Sequence, residues 1–423
     1  MHHYSSGRLS QHLLWVACLA GVVGLLASRA LVAFSPVIGV LAVLANPHLG
    51  RDLPAYFRNG AAMRAAALVV FLLLTGLYTS EWAIWRHELF RSLPWLAVPL
   101  AFTLAVPLTG QQRLTVGVLF VIGTAAVGLA TLSKYLLDPV GANEAIRIGH
   151  NMQAITRIFH VSFGAMLALA FFWGLHLRRQ PTAGPLLRMS LLAAAAAAVL
   201  TLHVLAYRTG LLVFYAALVG YVGWLLIRKR LLLGLCMLCL LGSGPWLAYH
   251  TLESVRERVA STIYDVRQFT EGHDINNFSL ARRLTAMETA TIIIRQHWLL
   301  GVGPADAHAA MVDQYGWRNY GLRPTNQVDV HNQYLEALLG GGVVGLALWL
   351  AVVFWPLTQA AARRNSAICF FTLIQAILMV VTDIQSLQIG LNLFIFGYGF
   401  LVVAGERIRQ FKHTNYRVIA SNA

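Results

Sequence analysis

Asp329-Val330-His331-Asn332-Gln333-Tyr334-Leu335-Glu336-Ala337-Leu338-Leu339-Gly340-Gly341-Gly342 marks the point where a long polar stretch ends and an apolar helix begins. Upstream of it, residues 251–330 hold eight arginines, three histidines and no lysine. Downstream, residues 336–358 form an apolar run of the length that crosses a bilayer as a helix, about 20 residues. The chain therefore reads as membrane-embedded with one large polar interruption.

Further runs of the same kind lie near 12–28, 30–46, 65–80, 93–108, 114–134, 158–177, 189–206, 210–227, 231–249, 366–382 and 391–405, so twelve spans are expected. Composition agrees: 58% of residues are hydrophobic and 12% charged, where a soluble domain carries about 25% charged. The expectation is an all-α integral membrane protein, with helices 1–9 in residues 1–250, an outward loop over 251–330, helices 10–12 in 331–405 and a tail over 406–423. The apolar run from Leu13 to Ala27 is followed, after Ser28-Arg29, by another apolar run, so a retained first helix is expected rather than a cleaved signal peptide. Cys18, Cys236, Cys239 and Cys369 all fall inside expected spans, which suggests neither a disulfide framework nor a thiolate zinc site. Cys236 and Cys239 are read as small apolar packing residues.

Short cytoplasmic loops are enriched in Lys and Arg, and this sets the orientation. With the N-terminus inside, the cytoplasmic segments collect 17 of the 32 basic residues and only Asp52 and Glu406 among the 17 acids. That side then carries the whole net charge of +15, and the outer side is neutral. A strongly basic balance of this kind reports attraction to anionic membrane lipids, including through the basic tail, and no nucleic-acid partner is needed to explain it.

The outward loop should be partly ordered. Ser279 can cap a helix in which Leu284, Met287, Thr291, Ile294 and Trp298 form a stripe on the membrane surface, stopped by Leu300-Gly301-Val302-Gly303-Pro304. A second helix is expected from Ala305 to Tyr315, ended by Gly316.

Arginines on the outer side run against the orientation rule and so ask for a reason. Arg208 sits in the tight turn Tyr207-Arg208-Thr209-Gly210 between spans seven and eight; Arg147 and Arg157 flank Ile148-Gly149-His150-Asn151-Met152-Gln153. Arg282 and Arg283, adjacent on a helix, point about 100° apart, so only one of them is expected to face a given ligand. Converging guanidinium groups bind phosphate oxygens in a bidentate way and keep their charge, which suits a pyrophosphate. The plainer reading of each arginine is a pair with a nearby carboxylate or a lipid phosphate. His331, where a helix enters the bilayer, has an ordinary pKa near 6.5 that suits proton transfer, and its plainer reading is a helix-capping histidine. Gly341 and Gly345 form a small-xxx-small pair that would let this helix pack closely on a neighbour. There is no DxD pair, HExxH, Walker loop, GxSxG or outward cysteine, so no metal and no cofactor are expected, and arginine would neutralise any departing anion.

Tyr207-Arg208-Thr209-Gly210, then Ala281-Arg282-Arg283-Leu284 followed by His297-Trp298-Leu299-Leu300-Gly301-Val302-Gly303, then His331-Asn332-Gln333-Tyr334-Leu335 with trailing glycines, together resemble the O-antigen ligase family. Trp298 stands where the family's motif usually has proline. The superfamily also contains O-antigen polymerases and protein O-oligosaccharyltransferases. The resemblance implies a fold related to the GT-C glycosyltransferases, in the bacterial inner membrane, with both termini cytoplasmic and a periplasmic active site. It implies transfer of O-antigen polysaccharide from undecaprenyl pyrophosphate to a sugar hydroxyl of lipid A-core, independent of metal. In residue terms it places His331 as the base and Arg208 and Arg283 on the pyrophosphate. Arg282, Arg147 and Arg157 would assist, with Tyr207, Asn332 and Tyr334 in support. A transporter or flippase is the competing class, disfavoured because the spans hold few charges with which to line a midplane pathway.

Overall fold

The computed structural model describes residues 7–410, so the expected tail beyond Gln410, with Lys412 and Arg417, lies outside the described residues. Helices and connections account for all of those residues, with no strand among them. The first four helices are α1 (Arg8–Ala27), α2 (Arg29–Leu44), α3 (Leu49–Arg58) and α4 (Gly60–Thr75). Asn59 separates the last two: its side chain caps α4 by accepting from the Ala62 N–H, and α3 leaves at a 77° bend. Next come α5 (Trp82–Ser92), α6 (Pro94–Leu104), α7 (Gly110–Leu137) and α8 (Pro139–Arg147). The middle of the chain forms α9 (His160–Leu177), α10 (Pro185–Val204), α11 (Arg208–Ile227) and α12 (Leu231–Thr251).

Each of the twelve expected apolar runs coincides with a helix, but their lengths differ. Among the described residues eight helices are long and apolar enough to cross a membrane, or nine if the bent pair α3–α4 counts as one span. The shortfall has local causes. The run at 93–108 yields only the 11 residues of α6, because Pro94 starts the helix and the chain is already extended at Ala105 ahead of Pro107. Cys236 and Cys239 do not pack as expected; both are exposed, because α12 leaves most of its surface facing outward.

The polar interruption is mostly helical. It contains α13 (Glu253–Thr270), α14 (Ser279–Gln296) and α15 (Ala307–Trp317). Periodicity gave no sign of α13. Phe278, not Ser279, occupies the cap position of α14, and no side chain caps that helix. Of the expected stripe only Ile294 is buried; the buried face of α14 otherwise consists of Ala281, Thr285, Ala286, Thr289, Ala290 and Ile293, and Trp298 beyond its end is 57% exposed. Small residues face inward because α14 is packed among α13, α15 and α16 (Gln333–Phe354), and its inner threonines satisfy their hydroxyls on backbone carbonyls one turn back. The chain ends with α17 (Ala360–Arg363), α18 (Ser366–Val381) and α19 (Gln388–Gly397), which runs on as a π turn over Tyr398–Val403.

Two close approaches of backbone fix how these helices pack around the ends that carry Arg208 and His331. Gly164 of α9 and Gly210 of α11 meet so tightly that a Cβ on Gly210 would lie 2.8 Å from the Gly164 Cα, and this crossing brings His160 and Arg208, the first residues of the two helices, within electrostatic reach of each other. The second is at Gly342, where α16 breaks with φ 58° and ψ −160°. Trp298–Gly303 docks into that break: the Val302 and Gly303 N–H groups donate to the Leu339 and Gly340 carbonyls, and the Val343 N–H donates to the Trp298 carbonyl, each at 2.9 Å. Gly341 and Gly345 lie against Phe71 of α4. A Cβ on Gly342 would strike the Leu299 carbonyl while adopting a backbone conformation that costs about 1–3 kcal/mol outside glycine. Gly342→Ala is therefore expected to lose about 2 kcal/mol or more, seen as a lowered melting temperature in detergent; an unchanged melting temperature would mean the break is not a structural requirement.

Candidate active site

Arg208 is the first residue of α11, and it is held from behind. Tyr207, fully buried, donates its hydroxyl to the Met152 carbonyl at 2.8 Å and fixes the entry of the chain into the helix. In front, α13 presents Arg258, Thr262 and Asp265, three to four residues apart and so on one face. Arg208 Nη1 donates to Thr262 Oγ1 at 3.3 Å and to Asp265 Oδ2 at 3.4 Å. The same Asp265 oxygen accepts from the Leu280 N–H at 3.2 Å, which ties the first turn of α14 to the cluster.

Arg258 is 3% exposed, and its Nη2 donates to the His150 carbonyl at 2.7 Å, while Nε and Nη1 find no partner among the described residues. Burial, then the neighbouring Arg208, push its pKa down to about 10, against the pull of Asp265. Arg283 of α14 is half-buried, with Nη1 3.5 Å from the Val381 carbonyl; burial, then Arg208 and Arg282, lower its pKa. His160 also stands within electrostatic reach of Arg208, Arg258 and Arg283. Three guanidiniums thus share one carboxylate, a balance that favours an anion supplied from outside.

His331 lies on the far side of Arg283. Its neighbours fix the backbone around it: Asn332 accepts from the Tyr334 and Leu335 N–H groups as the cap of α16, Gln333 accepts from the Gln385 N–H at 3.1 Å, and Tyr334 donates to the Ala376 carbonyl at 3.0 Å. Asn332, Tyr334 and Tyr207 therefore hold backbone in place. The His331 ring itself is half-buried and has no hydrogen-bond partner among the described residues. Burial, then the charge of Arg283 and more weakly Arg282, push its pKa down to about 4, with Asp329 opposing. The ordinary value near 6.5 expected from the sequence does not hold, and the ring is neutral at pH 7.

The ring lines a cavity of about 550 Å³ whose walls include Arg91, Trp95, Asp329, Glu336, Trp349 and Asp383. Trp95 and Trp349 meet edge to face at 5.6 Å, and burial raises the Asp383 pKa to about 6. Arg283 acts on His331 from the arginine cluster, while the cavity holds Asp329, Glu336, Asp383 and the two indoles together with Arg91, which pairs with Glu88 at 2.7 Å. Among the described residues no group of three or more His, Cys, Asp or Glu is close enough to hold a metal ion.

Not all the expected arginines converge. Arg282 turns its Nη1 to Asn326 Oδ1 at 3.1 Å, leaving Arg283 beside Arg208. Arg147 is 63% exposed and paired with Glu144 at 2.6 Å, so it takes the plainer reading. Arg157 is exposed at φ 59° on the connection before α9 and is not among the groups acting on His331, Arg258 or Arg283. In their place the structure adds Arg258, Asp265 and His160, none of which was picked out in the sequence.

Residues 192–350 match the family model described as O-antigen ligase. That match supports an O-antigen ligase family assignment. The matched segment runs from within α10 into α16, and so holds Arg208, Arg258, Asp265, Arg282, Arg283 and His331; His160 and Asp383 fall outside it. No curated protein matches the chain. The match spans less than half of the chain, and together with the apolar helices it fits a membrane protein similar to that family.

Proposed function

We propose that this protein, similar to the O-antigen ligase family over residues 192–350, transfers a polysaccharide from undecaprenyl pyrophosphate to a sugar hydroxyl of lipid A-core. The observation that carries the reading is the setting of His331: Arg283 of an arginine cluster short of negative charge acts on the ring, and the ring also lines a cavity that holds Asp329, Glu336 and Asp383. The diphosphate of the donor sits on Arg208, Arg258 and Arg283. The acceptor sugar enters the cavity, where Glu336 and Asp383 accept hydrogen bonds from its hydroxyls and Trp95 and Trp349 offer apolar faces. A ring nitrogen of His331 takes the proton of the attacking hydroxyl. The oxygen bonds to the anomeric carbon as the carbon–oxygen bond to pyrophosphate breaks on the opposite face. Undecaprenyl pyrophosphate leaves with the bonding electrons onto the arginines, and the anomeric configuration inverts. Preorganised positive charge where negative charge develops is the largest contribution such a site can make. In this reading the protein lies in the bacterial inner membrane with its termini cytoplasmic, its apolar helices in a GT-C-related arrangement, and the site periplasmic.

A neutral His331 is the active form, and its positive neighbours disfavour the charged form. At donor concentrations below saturation, where the free protein's ionisations are read, the acid limb of the rate is therefore expected near pH 4 and well below 6.5. Arg283→Gln removes one positive neighbour and should move that limb upward. A wild-type limb at 6.5, or one that Arg283→Gln leaves in place, would separate His331 from the rate. Purified protein given lipid-linked glycan, with lipid A-core or a second lipid-linked glycan as acceptor and a chelator present, tests the reaction. Ligated lipopolysaccharide is expected; an elongated donor would make the protein a polymerase, and a need for added metal would contradict the role given to the arginines.

A further inference from the structure

A second cavity, of about 1090 Å³, opens at the other end of α4 from the active site. One end of that helix meets Glu406 through the Ala61 N–H and Arg64; the residues just past its other end, Thr79 and Ser80, hold Asp306, and Leu68 and Phe71 line the His331 cavity. The two cavities therefore belong to opposite faces of any bilayer that α4 crosses. Five arginines, Arg51, Arg58, Arg64, Arg407 and Arg409, line this second basin against two carboxylates, Asp52 and Glu406. Glu406 is engaged by Arg64 at 2.9 Å, and Asp52 accepts from the Asn46 side chain at 3.0 Å. The side chains of Arg51 and Arg58 make no hydrogen bond or ion pair among the described residues.

The helix that carries these two arginines explains where they sit. On α3, Arg51 and Arg58 are seven residues apart and share one face, while Leu53 and Phe57 lie on the other, 47% and 64% exposed. With a 77° bend between it and α4, α3 lies close to the membrane plane when α4 crosses. Its apolar face then enters the interface, and its arginines are held over the basin at headgroup depth. Trp355 lines the same basin with Arg64 over its ring at 5.9 Å, an aromatic placed as interfacial anchors are.

We propose that this basin binds the phosphodiester headgroup of an anionic phospholipid in the leaflet opposite the active site. Arginine forks match phosphate oxygens, the basin is open at headgroup depth, and its arginines outnumber its carboxylates. A free phosphate shares that chemistry but gains nothing from the apolar face of α3, so the lipid is the occupant assigned here. The inference does not depend on the transfer reaction.

Native mass spectrometry of the delipidated full-length protein, given equimolar phosphatidylglycerol and phosphatidylcholine, tests it. Phosphatidylglycerol is expected to be retained at least about fivefold over phosphatidylcholine, with roughly thirtyfold as the full effect of two arginines near a surface. The double variant Arg51→Gln, Arg58→Gln should bring the two lipids to parity with an unchanged melting temperature, and Arg51→Lys, Arg58→Lys should keep most of the preference. Millimolar inorganic phosphate should not displace the lipid. Parity in the wild type, an undiminished preference in the glutamine variant, or displacement by phosphate would each overturn the proposal.

Discussion

His331→Ala is expected to lower transfer by about 10²–10⁴-fold, the range a positioned general base supplies, while donor binding stays within about threefold of wild type. The ring has no hydrogen-bond partner to lose among the described residues, and the cap of α16 belongs to Asn332, so the variant should fold and melt like the wild type. The arginines proposed to hold the pyrophosphate are untouched. The cavity beside the missing ring leaves room for a small base, so added imidazole should restore part of the rate in the alanine variant and leave the wild-type rate unchanged. Equilibrium binding of lipid-linked donor and single-turnover transfer separate the two effects. Near-normal transfer by the folded variant would remove His331 from the chemistry, and loss of donor binding would make it part of the phosphate site instead.

Arg208→Lys is the second large effect. Charge is retained, but a lysine offers a compact point charge where the guanidinium engages Thr262 and Asp265 and still has N–H groups for phosphate. Losing one positioned donor at such a site costs about 2.7–4 kcal/mol, or roughly 10²–10³ in rate. The Arg208 to Asp265 contact, at 3.4 Å and partly exposed, contributes little to stability by comparison, so the loss should appear in kcat/KM for donor and not in the melting temperature. Activity within about threefold of wild type would mean that charge alone is used.

The apolar spans were legible because hydropathy is a property of contiguous residues, and every expected run is a helix. Their lengths were less so, since Pro94 and the bend at Asn59 shorten helices without altering composition. His331 could be found from its position between a polar stretch and a span. Arg258 and Asp265 could not, because the inner face of α13 also carries Ser254 and Thr262, and a search for apolar periodicity passes over a polar face that turns inward. For Arg147 a signal was present and unused: Glu144 precedes it by three residues, the spacing of a helical ion pair. The glycines after His331 pointed to close packing, and Gly341 and Gly345 do lie against Phe71, but only the backbone shows that Gly342 breaks the helix to receive Trp298–Gly303.

The proposed chemistry is a single displacement, with His331 taking the acceptor proton while the arginines draw pyrophosphate away from the opposite face. It is decided by the anomeric configuration of the newly formed bond, read by NMR on product made from a donor of known configuration, together with the amount of undecaprenyl pyrophosphate released. The expected result is inversion, with one undecaprenyl pyrophosphate freed for each bond made. Retention of configuration would contradict the proposal, because it requires a second displacement through a covalent intermediate, with His331 or a cavity carboxylate acting as nucleophile and not as base.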